Sequence, residues 1–76
     1  MKQFTVALSS INDVKNFVDI VTRYEYEIDL TSGRYVVDAK SIMGIFSLDL
    51  SKPIDVEVHS DDCDELLDEL SPFIQK

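Results

Sequence analysis

The sequence predicts an α+β protein in which four antiparallel strands form one sheet and helices cover one of its faces. Three observations lead to this fold class. Several short segments alternate apolar and polar residues, which is typical of strands with one buried side. Other segments repeat apolar residues every three or four positions, which is typical of amphipathic helices. Because each strand carries one polar face, the helices must all cover the opposite face, as in an open-faced two-layer sandwich.

The chain opens with a predicted strand and a predicted helix. Residues 2–8 alternate between apolar and polar side chains, which gives the strand one buried face. Apolar residues then recur at spacings of three and four over residues 10–23, which predicts an amphipathic helix. Ser10 is predicted to cap the start of this helix, and Asp13 completes a pair that is similar to a capping box.

A β-hairpin is predicted next. Residues 24–31 alternate in polarity, and residues 34–39 return as a second strand with Tyr35 directed towards the core. Between these strands, Gly33 supplies the positive φ that a tight hairpin turn requires. The hairpin therefore provides the two adjacent strands in the predicted order, βαββαβα.

A short helix, a fourth strand and a last helix complete the predicted order. Ser41 is predicted to cap a compact apolar helical turn over residues 41–48. Residues 54–59 alternate as a strand, and the last helix is predicted to open at Ser60, where acidic residues suit the positive end of a helix dipole. Pro72 is expected to kink or restart this helix.

Length, charge and cysteine content restrict the class of protein. Residues 1–76 are predicted to form a single domain, because a chain of this length supports one core. The formal net charge of −8 repels phosphate backbones and anionic membranes, so nucleic-acid binding is not expected. No apolar run approaches the roughly 18 residues of a transmembrane helix, so membrane insertion is not expected. Cys63 is the only cysteine, which excludes an internal disulfide and a cysteine-based zinc cluster. We expect a cytoplasmic protein without a metal or a cofactor.

Short sequence features of the chain, in the same order and at similar distances, resemble those of one known family. They are Phe17-Val18 on the first helix, the Ser32-Gly33 turn, Ala39-Lys40-Ser41 before the short helix, and Leu48-Asp49-Leu50 after it. In these features the chain is similar to HPr, the histidine-containing phosphocarrier family of the sugar phosphotransferase system. The resemblance implies the family's βαββαβα sandwich over nearly the whole chain.

The resemblance also identifies where the phosphocarrier histidine would lie. The family carries its phosphoryl group on a histidine at the start of the first helix, in a motif similar to His-x-Arg-Pro. Here the histidine position falls on Ser10, and the arginine and proline positions fall on Asn12 and Asp13. An alcohol without a neighbouring base is a poor nucleophile, so Ser10 is not expected to replace the histidine. We expect a protein that is not an enzyme and that carries no phosphohistidine there.

Ser41 corresponds to a serine that is a regulatory phosphorylation site of the family in many bacteria. Two interpretations stay open: a helix cap without regulation, or a switch that a kinase phosphorylates. Four neighbours could form a partner-docking surface or could instead be core or half-buried residues; they are Lys40, Ile42, Met43 and Phe46. Some family members that lack the histidine act only through this serine, so the resemblance implies protein partners of the phosphotransferase or catabolite-control type.

Three functions stay open on the sequence. The first is an HPr-like regulatory or protein-interaction module that is switched at Ser41. The second is a phosphocarrier with another acceptor residue, although His59, the only histidine, is expected to be a solvated strand-end residue. The third is a small adaptor or ligand-binding domain that shares only the fold. The strand carboxylates are expected to form a solvated acidic face and not a metal site; they are Glu25, Glu27, Asp29, Asp38, Asp55 and Glu57.

Overall fold

Four strands and three helices follow one another in the predicted order, βαββαβα. The computed structural model describes residues 2–74. Its elements are β1 Lys2–Val6, α1 Ile11–Val21, β2 Ile28–Ser32, β3 Tyr35–Asp38, α2 Ile42–Phe46, β4 Ile54–Val58 and α3 Asp64–Leu70. The strands form one antiparallel sheet in the order β1-β4-β2-β3, so β1 and β3 are its two edges. The predicted α+β sandwich is confirmed.

One face of the sheet packs against the helices. On the central strand β4, Ile54, Val56 and Val58 are at most 1% exposed, whereas Asp55 between them is exposed. The helices bury Val14, Phe17 and Val21 of α1, Ile45 of α2, and Leu66 and Leu70 of α3. No polar or charged residue is buried in the part of the chain that the structure describes, so the core is stabilised by apolar burial.

The C-terminal segment closes the sheet beside β1. Val6 forms an isolated antiparallel bridge with Ile74, and the Ala7 N–H donates a 2.8 Å hydrogen bond to the Phe73 carbonyl. The Phe73 ring meets the Phe17 ring edge-on, with centroids 6.2 Å apart and an interplanar angle of 84°. These contacts join the last described residues to both the sheet and α1.

The predicted strand over residues 24–31 begins later than expected. β2 starts at Ile28, which pairs with Val58, the last residue of β4. Earlier residues therefore have no strand opposite them, and the Tyr24 N–H instead donates to the Val21 carbonyl in the turn that ends α1. Tyr24 and Tyr26 belong to the segment that connects α1 to β2, in spite of their alternating pattern.

The prediction that Tyr35 is directed into the core is wrong, because its side chain is 70% exposed. Its position opposite Ser32 places it next to the hairpin turn of an edge strand. Val37, two residues further on, is opposite the buried Leu30 and is half-buried. Alternation therefore identified the correct side of the strand, but the helices do not extend far enough to cover its first residue.

The last helix is shorter at both ends than predicted. The Asp62 N–H donates to the Ser60 side chain in a preceding turn, and α3 begins only at Asp64. At the other end α3 stops at Leu70, because Pro72 has no N–H with which to continue the helix. The Phe73 N–H bonds the Leu70 carbonyl at 2.8 Å in a tighter turn. Pro72 therefore belongs to the termination of the helix.

Candidate functional site

The start of α1 is closed by a small hydrogen-bonded cap. The Ser10 hydroxyl oxygen accepts a 3.1 Å hydrogen bond from the Asp13 N–H. In return, one Asp13 carboxylate oxygen accepts bonds from the Ser9 N–H at 3.1 Å and the Ser9 hydroxyl at 3.0 Å. These bonds, the Ser9 N–H first among them, hold the pKa of Asp13 below its ordinary value. Ser10 is the N-cap that the sequence predicts, with a carboxylate on the next turn beside it.

The start of α2 is built in the same way around an exposed serine. The Ser41 hydroxyl oxygen accepts a 3.2 Å hydrogen bond from the Gly44 N–H, and its carbonyl accepts from Ile45 at 3.0 Å. A Cβ on Gly44 would lie 3.2 Å from the Ser41 hydroxyl oxygen and 3.3 Å from the Val37 Cβ. Gly44 therefore lets α2 lie close to β3 while its N–H remains bonded to the cap.

The apolar residues of α2 divide into buried and exposed ones. Ile45 is fully buried in the core, and Ile42 is half-buried against it. In contrast, the Met43 side chain is 77% exposed and Phe46 is 39% exposed. Of the three apolar docking residues expected from the sequence, Met43 and Phe46 face solvent and Ile42 supports the helix on the core.

Lys40 is fixed by two contacts of its own. Its ammonium donates a 2.6 Å hydrogen bond to the main-chain carbonyl of Tyr24, and its N–H donates at 2.9 Å to the Asp38 carboxylate. An ammonium group has three hydrogens to donate, so two remain available after the bond to Tyr24. Lys40 therefore connects the turn before α2 to the segment after α1.

A second polar cluster joins the end of α1 to α3. The Tyr24 hydroxyl donates a 2.5 Å hydrogen bond to one oxygen of Glu69, and Arg23 forms a 3.2 Å ion pair with the other. The bond to Glu69 is the main reason that the pKa of Tyr24 rises to about 12. Sequence reasoning did not identify this cluster, because Arg23 and Tyr24 follow α1 whereas Glu69 lies on α3, and periodicity gives no information about which distant residues meet.

The only histidine lies at the end of the sheet away from Ser10. His59 follows β4, whose last residue Val58 is opposite Lys2 at the start of β1, whereas α1 begins beyond the other end of β1. The His59 Nε2 is 2.9 Å from an Asp29 carboxylate oxygen and 3.7 Å from one of Glu57. The structure does not bring His59 to the position at which the family resemblance puts the phosphocarrier histidine.

Acidic residues lie on the uncovered face of the sheet. Asp29 is opposite Asp38 on one side and Glu57 on the other, and Asp55 accepts a 3.1 Å hydrogen bond from the Thr5 hydroxyl. Glu25 and Glu27, also expected there, lie in the segment before β2. Among residues 2–74 there is no group of three or more ligating side chains that could hold a metal ion. Over the same range, no helix has the length and hydropathy to cross a membrane.

The sheet order and the serine-capped short helix define the class of protein, a small open-faced sandwich of the phosphocarrier type. A family model described as the PTS HPr component phosphorylation site matches residues 12–76. The chain belongs to the HPr family of the phosphotransferase system. The matched range begins two positions after Ser10. No curated protein sequence matches the chain.

Solved structures of HPr proteins are similar over almost the whole chain. HPr-C-His from Thermoanaerobacter tengcongensis has a TM-score of 0.78 and 26% identity, and covers 95% of this chain and 89% of its own. The phosphocarrier protein HPr from Bacillus anthracis has a TM-score of 0.72 and 28% identity, with coverages of 97% and 96%. A Mycoplasma histidine-containing phosphocarrier protein shares the fold with a TM-score of 0.76 at 12% identity, covering 99% and 100%.

Proposed function

We propose that this HPr-family protein carries no phosphohistidine and acts as a regulatory protein-interaction module that is switched by phosphorylation of Ser41. The observation that carries the proposal is the cap at the start of α1. The family resemblance puts the histidine position on Ser10, and the Ser10 oxygen accepts the Asp13 N–H. No histidine or arginine occurs in residues 1–22. A phosphoryl donor would meet the Asp13 carboxylate instead of an arginine.

His59 is a poor substitute for the missing acceptor, which argues against a phosphocarrier with another acceptor residue. Its Nε2 already faces Asp29 at 2.9 Å, with Glu57 at 3.7 Å. An incoming phosphoryl group would be placed beside two carboxylates, and like charges at this distance repel. The family match over residues 12–76 weighs against the third possibility, a domain that shares only the fold.

The exposure and bonding of the Ser41 hydroxyl support a role as a kinase substrate. Its hydroxyl is exposed, and its oxygen bonds the Gly44 N–H as an acceptor, so the hydroxyl hydrogen can be replaced by a phosphoryl group. In the step, the oxygen bonds the γ-phosphorus of ATP, the bond to ADP breaks, and the hydroxyl proton passes to a base of the kinase. The added charge would lie at the start of α2 beside the Gly44 N–H, with the positively charged Lys40 as the preceding residue.

The exposed apolar surface of α2 would provide the docking surface for a partner. Met43 and Phe46 present apolar groups to solvent on the helix that Ser41 caps, Ile42 supports them, and Lys40 adds a positive charge. Phosphorylation would therefore place about two negative charges at the border of an apolar patch. Partners of the phosphotransferase or catabolite-control type fit such a surface.

Two phosphorylation reactions test the proposal. The purified protein is incubated with phosphoenolpyruvate and the general phosphotransferase enzyme, and separately with ATP and an HPr-type kinase. Intact-mass spectrometry then looks for a gain of about 80 Da, one phosphoryl group. We expect no gain in the first mixture and one in the second, which Ser41→Ala abolishes. Ser47→Ala, at the other end of the same helix, is the matched control and should still be labelled.

Two results would contradict parts of the proposal. A phosphohistidine in the first mixture that disappears in His59→Ala would establish a phosphocarrier with a non-standard acceptor. An unlabelled protein in the second mixture would remove the switch and leave an interaction module without it.

A further inference from the structure

The two edges of the sheet are not equally protected. At the β1 edge, the bridge from Val6 to Ile74 and the bond from Ala7 to Phe73 cover the end of the strand. The β3 edge carries two large exposed apolar side chains, Tyr35 at 70% and Val36 at 64%. An edge strand with apolar side chains and free backbone groups can pair with another strand.

The hydrogen-bonding phase of the hairpin fixes which β3 backbone groups point away from the sheet. In an antiparallel pair, successive residues alternately bond the neighbouring strand and face outward. The Ala39 N–H donates to the Ile28 carbonyl at 2.9 Å, so Val37 and Tyr35 also bond β2. The N–H and carbonyl groups of Val36, and the N–H of Asp38, therefore point to the open edge.

Charge on β3 selects one register for a second copy. If Val36 lies opposite Val36 of another molecule in an antiparallel pair, Arg34 of each copy lies opposite Asp38 of the other. A register shift in one direction would instead place Arg34 opposite Val36, and a shift in the other direction would place it opposite Lys40. Within residues 2–74 Arg34 has no ion-pair partner, and one Asp38 carboxylate oxygen is left after the bond to the Lys40 N–H.

We propose that β3 pairs antiparallel with β3 of a second copy of this chain, centred on Val36 and held by two Arg34–Asp38 ion pairs. The four-stranded sheet then becomes one continuous eight-stranded sheet. The strand is four residues long and each copy carries a net charge of −8, so the dimer is weak and transient. Salt at about 0.15 M screens charges over a Debye length of about 8 Å, so it weakens the long-range repulsion between the two copies more than the direct ion pairs. The dimer requires no phosphorylation of Ser41, so the two proposals can fail independently.

Reciprocal charge reversal tests this register directly. Sedimentation velocity at concentrations up to roughly 1 mM, the range of weak complexes, should reveal a monomer–dimer equilibrium of the unmodified protein. Arg34→Asp places Asp opposite Asp38, and Asp38→Arg places Arg opposite Arg34. Each variant alone should dimerise about tenfold more weakly, the effect of losing 1.4 kcal/mol. A one-to-one mixture restores both ion pairs, so it should dimerise as the unmodified protein does.

Three further variants test whether dimerisation depends on the β3 edge, and not on the net charge or on the folding of the protein. Lys15→Asp on α1 and Asp62→Arg before α3 make the same changes in net charge away from β3 and should leave the equilibrium unchanged. Val36→Pro removes an N–H that makes no bond within the sheet, so it should retain the circular dichroism spectrum and lose the dimer. A monomer at every concentration would overturn the proposal. A dimer that Val36→Pro leaves intact, or a mixture that does not recover, would do so as well.

Discussion

The ammonium group of Lys40 donates a 2.6 Å hydrogen bond to the main-chain carbonyl of Tyr24, although 16 residues separate them in the sequence. The Tyr24 hydroxyl in turn donates to Glu69 on α3. Tyr24 therefore connects the segment after α1 with both the turn that precedes α2 and the surface of α3. These contacts lie outside the apolar core, so they can be weakened without creating a cavity.

Removal of the Lys40 ammonium should destabilise the protein. Lys40→Met keeps the length of the side chain and loses a partly buried hydrogen bond from a charged donor, so the free energy of unfolding should fall by about 2 kcal/mol. Urea unfolding followed by circular dichroism measures the change. Lys15→Met, at an exposed position of α1, is the control and should cost less than about 0.5 kcal/mol. Equal effects of both substitutions would refute this role of Lys40.

Tyr24 should ionise well above the ordinary range of tyrosine. Because its pKa is raised to about 12 by the bond to Glu69, absorbance at alkaline pH should show a tyrosine transition near pH 12 that Tyr24→Phe removes. Burial also raises the pKa of Tyr26, so that residue contributes a separate transition above the ordinary range. Glu69→Gln should move this transition towards pH 10. A folded pKa above the unfolded value of 10 stabilises the protein fully below pH 10, and this contribution is lost as the pH rises towards 12. A transition near pH 12 that persists in Tyr24→Phe would assign it to another residue.

The cap of α1 should have a measurable effect on stability. Ser10→Ala removes the acceptor of the Asp13 N–H and should lower the free energy of unfolding by about 1 kcal/mol. Ser10→Thr retains a hydroxyl and should recover most of that loss. Thermal unfolding at neutral pH compares the three proteins. If alanine and threonine behaved alike, the hydrogen bond from the Asp13 N–H would not be the source of the effect.

The edge-on contact between Phe17 and Phe73 should appear as a coupling energy. Leucine at either position keeps an apolar side chain but removes one ring of a pair whose centroids are 6.2 Å apart. A double-mutant cycle with Phe17→Leu and Phe73→Leu should give a coupling of about 1 kcal/mol. Repeating the cycle with Val18→Ala in place of Phe73→Leu provides a reference pair without the ring contact. Additive losses at Phe17 and Phe73 would exclude a specific interaction.

The order of elements could be predicted because it depends on local patterns. Alternation along β4 and the helical spacing in α1 reflect which side chains are buried, and burial follows the same periods in the structure. Alternation cannot indicate where a neighbouring strand ends. The alternating pattern therefore includes Tyr24 and Tyr26, although both residues lie before the start of β2. The exposure of Tyr35 depends on how far the helices extend over the sheet, which alternation does not indicate either.

The candidate site likewise has local features that the sequence predicts and long-range contacts that it does not. Ser10 and Ser41 were predicted as caps because each bonds an N–H only three residues away. The bond from Lys40 to Tyr24 and the cluster at Glu69 join residues that are distant in sequence, and their side chains carry no pattern that indicates a partner. Such contacts depend on how the helices pack, which the sequence periodicity does not specify.

The position of β4 between β1 and β2 has a consequence for synthesis on the ribosome. Apart from the bridge at Val6, β1 pairs within residues 2–74 only with β4, and β2 needs β4 to become a central strand. β1 therefore stays unpaired during synthesis until Ile54–Val58 has been translated and released from the exit tunnel. Until that point the nascent polypeptide contains β1 and β2 without the strand that lies between them.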